Sequence, residues 1–415
     1  MSEWLPWAFM AALACFGMGW LVARIDIKQL LFESRTLPRA YFSGLNFLMT
    51  EQPDKAIDAF IEVSKQQPEA VELQFALGTL LRKRGEVDRA IRIHQSLAER
   101  LDLPALQRRA ARFDLALDFR AAGLLENAEG ILLDLTAKPD GDDKQHLLAL
   151  GLLRDIHAQE RNWPKAIAAL TRMRSADADA DNNARYATQI ANYHCEAALL
   201  ARQTGRAPEA AAQLELALAV NTACVRANLL KGEWLAADDQ HVAAITVWQQ
   251  IEKQNPAFLG LMADQILASF EAIGKTAQGL NELRALQQHY PALDMFNAIF
   301  HATMKSDGAL AAREMVKAEL RQNPTLVGLD RLLEAELLAA TDDSSKADIK
   351  VQKDLVHAHS SRLAVYLCGN CGFKAKQFYW QCPACAGWET FPPRRTAEYD
   401  TSGRHLARMQ AGGLP

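Results

Sequence analysis

Proline and glycine are scarce in this chain, 15 and 22 of 415 residues, which disfavours a sandwich or barrel of short strands joined by tight turns. Basic residues are in no excess. Lys and Arg number 46 against 50 Asp and Glu, a net charge of -4, so no global positive field exists to hold nucleic acid. Cysteine is sparse and unevenly placed: of seven, four fall between Cys368 and Cys385, and Cys15, Cys195 and Cys224 are scattered. That excludes a disulfide framework and points to a reducing compartment with one metal site. The motifs G-x-S-x-G and H-E-x-x-H and the dinucleotide fingerprint are all missing. Gly274-Lys275-Thr276 ends like a phosphate loop, but Ser269 stands where that motif needs its first glycine, so it reads as an inter-helix turn. No enzyme activity is expected of this chain alone. At 49% hydrophobic and 23% charged, it is too apolar for wholesale disorder and too long for one core. An all-α repeat array or several domains should result.

Long uncharged runs are confined to the amino terminus. Trp4 to Ala23 carries no charge, and a helix of that length spans roughly 30 Å, the hydrocarbon thickness of a bilayer. A cleaved signal peptide is the rival reading, but only Met1, Ser2 and Glu3 precede the run and no A-x-A-like site follows. A retained anchor is therefore expected. Arg24, Lys28, Arg35 and Arg39 follow it, which places everything after residue 24 in the cytoplasm. Ala11, Cys15 and Gly19 recur every four residues and offer a small-residue face to another membrane helix, a second copy included.

Beyond residue 36 the sequence repeats. Gly44, Gly78 and Gly232 are each followed twelve residues later by Ala56, Ala90 and Ala244. The alanine slot extends through Ala128, Ala166 and Ala210, and Pro68, Pro256, Pro291 and Pro324 close units. The core step is 34 residues, with longer steps in the middle of the array. Each unit reads as two antiparallel helices in which a Gly or Ala on the first lets the alanine of the second pack closely. Breakers fall where turns are needed, as in Arg84-Gly85-Glu86, Ala122-Gly123-Leu124 and Thr204-Gly205-Arg206. The run Ser175 to Asp181 reads as a solvated loop or helix start. This pattern resembles the tetratricopeptide repeat, seven to nine units of it, and such arrays hold a segment of another protein on a concave face. Trp234, Trp248, Tyr186, Tyr193 and Phe113 are groove candidates, although core or inter-repeat packing is the expected use of each.

Near the C-terminus, Cys368-Gly-Asn-Cys371-Gly372 and Cys382-Pro383-Ala-Cys385 form two C-x-x-C pairs. Each pair can put both thiolates on one metal from a tight turn, and two such turns complete a tetrahedron. Four metal-free structural thiols or a thioredoxin-like redox pair fit this spacing less well. Zinc is favoured, with iron as the alternative, and His357 and His359 are surplus to a four-cysteine set. The cluster resembles the rubredoxin-type knuckle pair, with Ala386 rather than glycine after Cys385 and Gly387 one place later.

The full order of segments resembles the lipopolysaccharide assembly protein B family of Gram-negative bacteria. The resemblance implies an N-terminal transmembrane anchor (1-24), a juxtamembrane basic segment (25-36) and a repeat array (37-340). A connecting helix (341-362), a rubredoxin-like metal knuckle (363-392) and a tail (393-415) complete it. It implies that Cys368, Cys371, Cys382 and Cys385 bind one metal ion. It further implies a non-enzymatic inner-membrane adaptor that brings the committed-step lipid A deacetylase to the protease FtsH, opposed by an inner-membrane regulatory protein of lipopolysaccharide synthesis. The alternatives are a membrane scaffold for the biosynthetic enzymes and a rubredoxin-like redox module.

Overall fold

The structure, a computed structural model, describes residues 39–50, 52–66, 70–137, 143–363 and 366–393. The apolar run Trp4 to Ala23, the flanking Arg24, Lys28 and Arg35, Pro68 and nearly all of the tail lie outside them. Among the described residues no helix is long and apolar enough to cross a membrane. The chain divides at Ile156 and His157 into two compact units, each described by itself.

The first unit is built of α1 (Arg39–Met49), α2 (Pro53–Gln66), α3 (Val71–Arg84), α4 (Val87–Glu99), α5 (Ala105–Ala121) and α6 (Leu125–Ala137), with most of α7 (Asp143–Gln159) at its end. Consecutive helices pack as pairs. Ala56, Ala90 and Ala128 are fully buried, and so are the residues four places on, Phe60, His94 and Leu132. One turn separates each couple, so both face the first helix of the pair.

That geometry corrects the expectation that glycine makes room for alanine. A Cβ on Gly44 would meet the ring of Phe60 at 2.5 Å, and one on Gly78 would meet the imidazole of His94 at 2.5 Å. The glycine admits the large side chain one turn beyond the alanine, and the alanine keeps the two helix backbones close.

His94 fills a slot that elsewhere takes an apolar side chain, and one of its ring nitrogens is answered locally while Nε2 is buried without a partner. Its Nδ1 lies 2.5 Å from Asp118 Oδ2, both side chains being fully buried. Arg82 donates to the other oxygen of Asp118 at 2.8 Å and to Asp114 at 3.1 Å. A buried carboxylate is tolerated only when its lone pairs are so engaged.

The second unit opens with α8 (Trp163–Ala176) and continues through α9 (Ala180–Gln203), α10 (Ala207–Val220), α11 (Val225–Ala237), α12 (His241–Gln249) and α13 (Ile251–Gln254). After a 3-10 segment over Pro256–Met262 come α14 (Ala263–Ala272), α15 (Thr276–His289), α16 (Leu293–Ser306), α17 (Gly308–Gln322), α18 (Leu326–Ala339) and α19 (Asp343–Leu363). Ala166/Leu170, Ala210/Leu214 and Ala244/Trp248 continue the buried couples, as do Gly279/Leu283 and Ala312/Val316. A Cβ on Gly232 would overlap the indole of Trp248. In the α14/α15 pair the exchange is reversed, and Gly279 on the second helix receives Phe270 of the first.

The run after Ser175 is a loop and a cap. Helix α8 ends at Ala176, and the Asp179 carboxylate accepts the N–H groups of Asp181 and Asn182 to start α9. Pro291 and Pro324 lie between pairs, where no backbone donor is missed.

Candidate metal centre

After α19 the chain changes character. β1 (Tyr366–Leu367) pairs antiparallel with β2 (Lys374–Ala375), and the hairpin between them carries Cys368 and Cys371. An antiparallel bridge from Gln381 to Trp388 carries Cys382 and Cys385 in the same way. The two turns are alike in detail. Cys368 N–H donates to Phe373 O at 2.9 Å and Gly372 N–H to Cys368 O at 3.0 Å; Cys382 N–H donates to Gly387 O and Ala386 N–H to Cys382 O, both at 2.8 Å.

Gly372 has φ +73° and Ala386 φ +56°. Alanine therefore adopts the left-handed conformation at the second knuckle, at roughly 1–2 kcal/mol of strain. Glycine is reserved for the next position for a steric reason: a Cβ on Gly387 would come 2.7 Å from Thr390 Cγ2 and 3.4 Å from Cys385 Sγ. The departure from the usual knuckle spacing is thus accommodated.

All four sulfurs lie within 4.8 Å of one another. Cys368 and Cys385 are 3.8 Å apart across the two turns, and Cys371 and Cys382 are 3.7 Å apart. Sulfurs about 2.3 Å from a shared tetrahedral ion stand about 3.8 Å apart, so the residues fit a metal ion. Cys368 and Cys382 are buried, while Cys371 and Cys385 are exposed.

The electrostatics agree with this fit. Burial opposes ionisation of Cys368, but the Thr390 hydroxyl and the N–H groups of Cys371 and Asn370 outweigh it and bring its thiol down to about 6. The Phe373 N–H favours the Cys371 thiolate, yet burial and the neighbouring cysteine sulfurs together push this thiol up to about 12. Four thiolates this close need a cation to ionise together. His357 instead meets Asp330 at 3.0 Å, and His359 Nδ1 lies 3.1 Å from Leu355 O.

The metal ribbon is seated on first helices of the repeat pairs. Phe258, from the 3-10 segment, stacks on Trp380 at 5.5 Å between centroids. Phe378 meets both rings edge-on, at 6.2 and 5.0 Å. Arg226 of α11 lies over the rings of both Trp380 and Trp388, at 5.7 and 5.5 Å, while donating to Glu196 of α9 at 2.6 Å. Asn192 of α9 donates to Glu389 at 2.8 Å, and Tyr366 donates to Asp294 of α16 at 2.8 Å. Burial pushes the Glu389 carboxyl up, against the Asn192 hydrogen bond and the Arg226 charge. Beside this contact, Trp163, Tyr193 and Leu199 of the array and Gln381 and Trp388 of the ribbon line a half-open cleft of about 300 Å³.

Of the groove candidates, Tyr193 reaches this interface, edge-on to Trp388 at 5.8 Å. Trp248 is core, and Trp234 lies under Arg202 at 5.5 Å. Tyr186 donates to Asp177 at 3.0 Å, and Phe113 is half-buried in α5. Sequence reasoning missed Arg226, Asn192, Phe258 and the ribbon residues that meet them. Its available signal was the aromatic density of the ribbon: Phe373, Phe378, Tyr379, Trp380, Trp388 and Phe391 exceed what a module of that size needs for its own core.

Two motifs suggestive of chemistry take structural roles. Gly274, at φ +70°, ends α14, and Lys275 precedes α15, so Gly274-Lys275-Thr276 is an inter-helix turn. His241 lies 3.2 Å from Ser269 Oγ and 3.9 Å from Asp239. That hydroxyl is buried inside α14, out of reach of a substrate.

The fold and the centre define a tetratricopeptide-repeat protein carrying a docked rubredoxin-type metal ribbon. Residues 44–102 and 195–257 match the tetratricopeptide repeat family, and residues 366–393 match the family described as a rubredoxin metal binding domain. The chain is 30% identical over 378 residues to lipopolysaccharide assembly protein B of Escherichia coli strain K12, covering 91% of this chain and 95% of that one. To the protein of the same name from Haemophilus influenzae it is 27% identical over 391 residues, 92% and 96% of the two chains. This chain belongs to the lipopolysaccharide assembly protein B family. Among solved structures, a tetratricopeptide repeat protein from Parabacteroides merdae aligns with a TM-score of 0.32 at 13% identity, over 76% of this chain and 97% of that one.

Proposed function

We propose that this chain is a non-enzymatic adaptor at the bacterial inner membrane that limits lipopolysaccharide synthesis. In this reading it presents the committed-step lipid A deacetylase to FtsH for degradation, and an inner-membrane regulatory protein of lipopolysaccharide synthesis opposes it. The observation that carries the reading is the ribbon seated on α9, α11 and α16: a repeat array and a metal module share one surface, and a cleft between them is open to a protein segment. Family membership supplies the pathway.

Cys368, Cys371, Cys382 and Cys385 hold one metal ion, zinc in preference to iron, whose role is structural. A bound ion ties the two turns together where the ribbon is too small to fold on its own core. The ribbon in turn presents Trp380 and Trp388 to Arg226. Elemental analysis of freshly purified chain should return about one ion per chain, and a value well below that sinks the assignment.

An anchor at Trp4 to Ala23, with the repeats facing the cytoplasm, confines adaptor, client and protease to one surface, so modest affinities suffice. Protease added to intact spheroplasts should leave the repeats uncut. The deciding measurement is the half-life of the deacetylase after protein synthesis is blocked, with and without this chain. Depletion should lengthen it. An unchanged half-life with failing lipopolysaccharide assembly selects the membrane scaffold instead.

A further inference from the structure

Cys195 and Cys224 take no part in the metal centre or in ribbon docking, yet their sulfurs lie 4.0 Å apart between α9 and the start of α11. Both are free thiols, fully buried in a cluster with Ala191, Ala198, Leu214 and Ala227. Either alone would be a small apolar filler. Together they are a close dithiol whose two halves have different surroundings.

Cys224 is the residue preceding α11, where the N–H of Ala227 reaches its sulfur. The hydrogen bond from Cys195, together with that N–H and the Arg226 charge, moves the Cys224 thiol down against its burial. The same hydrogen bond and burial move Cys195 well up. The N–H at the start of α11 favours charge on the Cys224 sulfur, which fits Cys224 for the reacting role and leaves Cys195 as its resolving neighbour 4.0 Å away.

We propose that Cys195 and Cys224 form a reversible disulfide in response to hydrogen peroxide, with Cys224 the reacting sulfur and Cys195 the resolving one. The Cys224 thiolate attacks one peroxide oxygen, the O–O bond breaks, and the departing hydroxide takes up a proton as water, leaving a sulfenic acid on Cys224. The Cys195 sulfur then displaces the sulfenic oxygen, its proton leaves with that oxygen as a second water, and the S–S bond forms. Two thiols lose two electrons in all, and one peroxide becomes two waters.

The sulfurs must close from 4.0 Å to about 2.05 Å, which requires side-chain rotation and a small approach of the helices. Full burial selects a small oxidant over a bulky disulfide. The bond would form next to the ribbon contact: Cys195 adjoins Glu196, Cys224 lies two residues before Arg226, and Arg226, paired with Glu196, lies over both ribbon tryptophans.

The test uses the full metal-loaded chain, treated with hydrogen peroxide, alkylated after denaturation and peptide-mapped without reduction. A peptide linking residues 195 and 224 should appear in most chains and vanish with dithiothreitol. In Cys195→Ser the sulfenic acid on Cys224 should persist and be trapped by dimedone, whereas Cys224→Ser should show neither disulfide nor dimedone adduct at Cys195. The wild-type map stands even if a variant folds poorly. Residues 195 and 224 unlinked under conditions that oxidise most of a free glutathione control would overturn the proposal, as would linkage of either to a ribbon cysteine. Equal dimedone labelling in the two variants would overturn the assigned roles.

Discussion

The ring of Phe258 lies face to face with the indole of Trp380, 3° from parallel. The phenylalanine stands on the 3-10 segment that interrupts the helix pairs, and the tryptophan on the metal ribbon. Their stack fixes the ribbon against the array through two side chains from distant parts of the sequence.

Trp380→Ala should therefore loosen the ribbon while sparing the repeats. It removes the Phe258 stack, the Phe378 edge contact and one of the two rings under Arg226, at about 2–3 kcal/mol for a half-buried tryptophan. Trypsin should then cut within residues 366–393 before it cuts the helices. Trp380→Phe should restore most of the protection.

Three glycines with different surroundings should respond differently to alanine. Gly232→Ala forces its Cβ into the Trp248 indole and should destabilise by about 1–3 kcal/mol. Gly205→Ala meets open space but must hold φ +77°, for about 1 kcal/mol. Gly130, inside α6 with nothing near its missing Cβ, should gain about 0.5–1 kcal/mol as alanine. Urea midpoints of the three variants check this order.

His94→Phe should be destabilising although the slot it occupies takes phenylalanine in the preceding unit. The substitution leaves Asp118 Oδ2 buried without its partner, a loss of about 2–3 kcal/mol. Denaturant unfolding that showed a gain in stability would mean Arg82 alone satisfies the carboxylate.

Glu389 should make ribbon docking weaker as pH rises. Burial holds its carboxyl above the ordinary glutamate value of 4.5, so the folded chain keeps the proton longer than the unfolded chain. Below 4.5 both states are protonated and there is no penalty. As pH climbs from there toward the raised folded value the unfolded chain releases its proton first and stability is lost, levelling off above the folded value. Thermal melts of wild type and Glu389→Gln, which keeps an acceptor for Asn192, should diverge across this window in favour of the glutamine.

The sequence made the repeats and the four-cysteine cluster legible for a common reason: both depend on fixed local spacing. The alanine series works because each small residue meets a neighbour within its own helix pair, and C-x-x-C because one turn presents both sulfurs. The purpose of the glycines was read one turn short, since the glycine slot admits Phe60, His94 and Trp248 rather than the alanine. The residues that dock the ribbon were not legible. Asn192 with Glu389 and Asp294 with Tyr366 are matches between surfaces that come together only after both parts have folded, and no periodicity marks them.

An array of helix pairs in which each touches only its neighbours can fray from its ends, because losing one terminal pair costs the rest only a single interface. The ribbon changes that rule for the carboxyl-terminal half. By gripping α9, α11, the Phe258 segment and α16 at once, it makes several pairs share one fate. Fraying is suppressed there, and melting of that stretch should be a single steep event for as long as the ribbon keeps its shape.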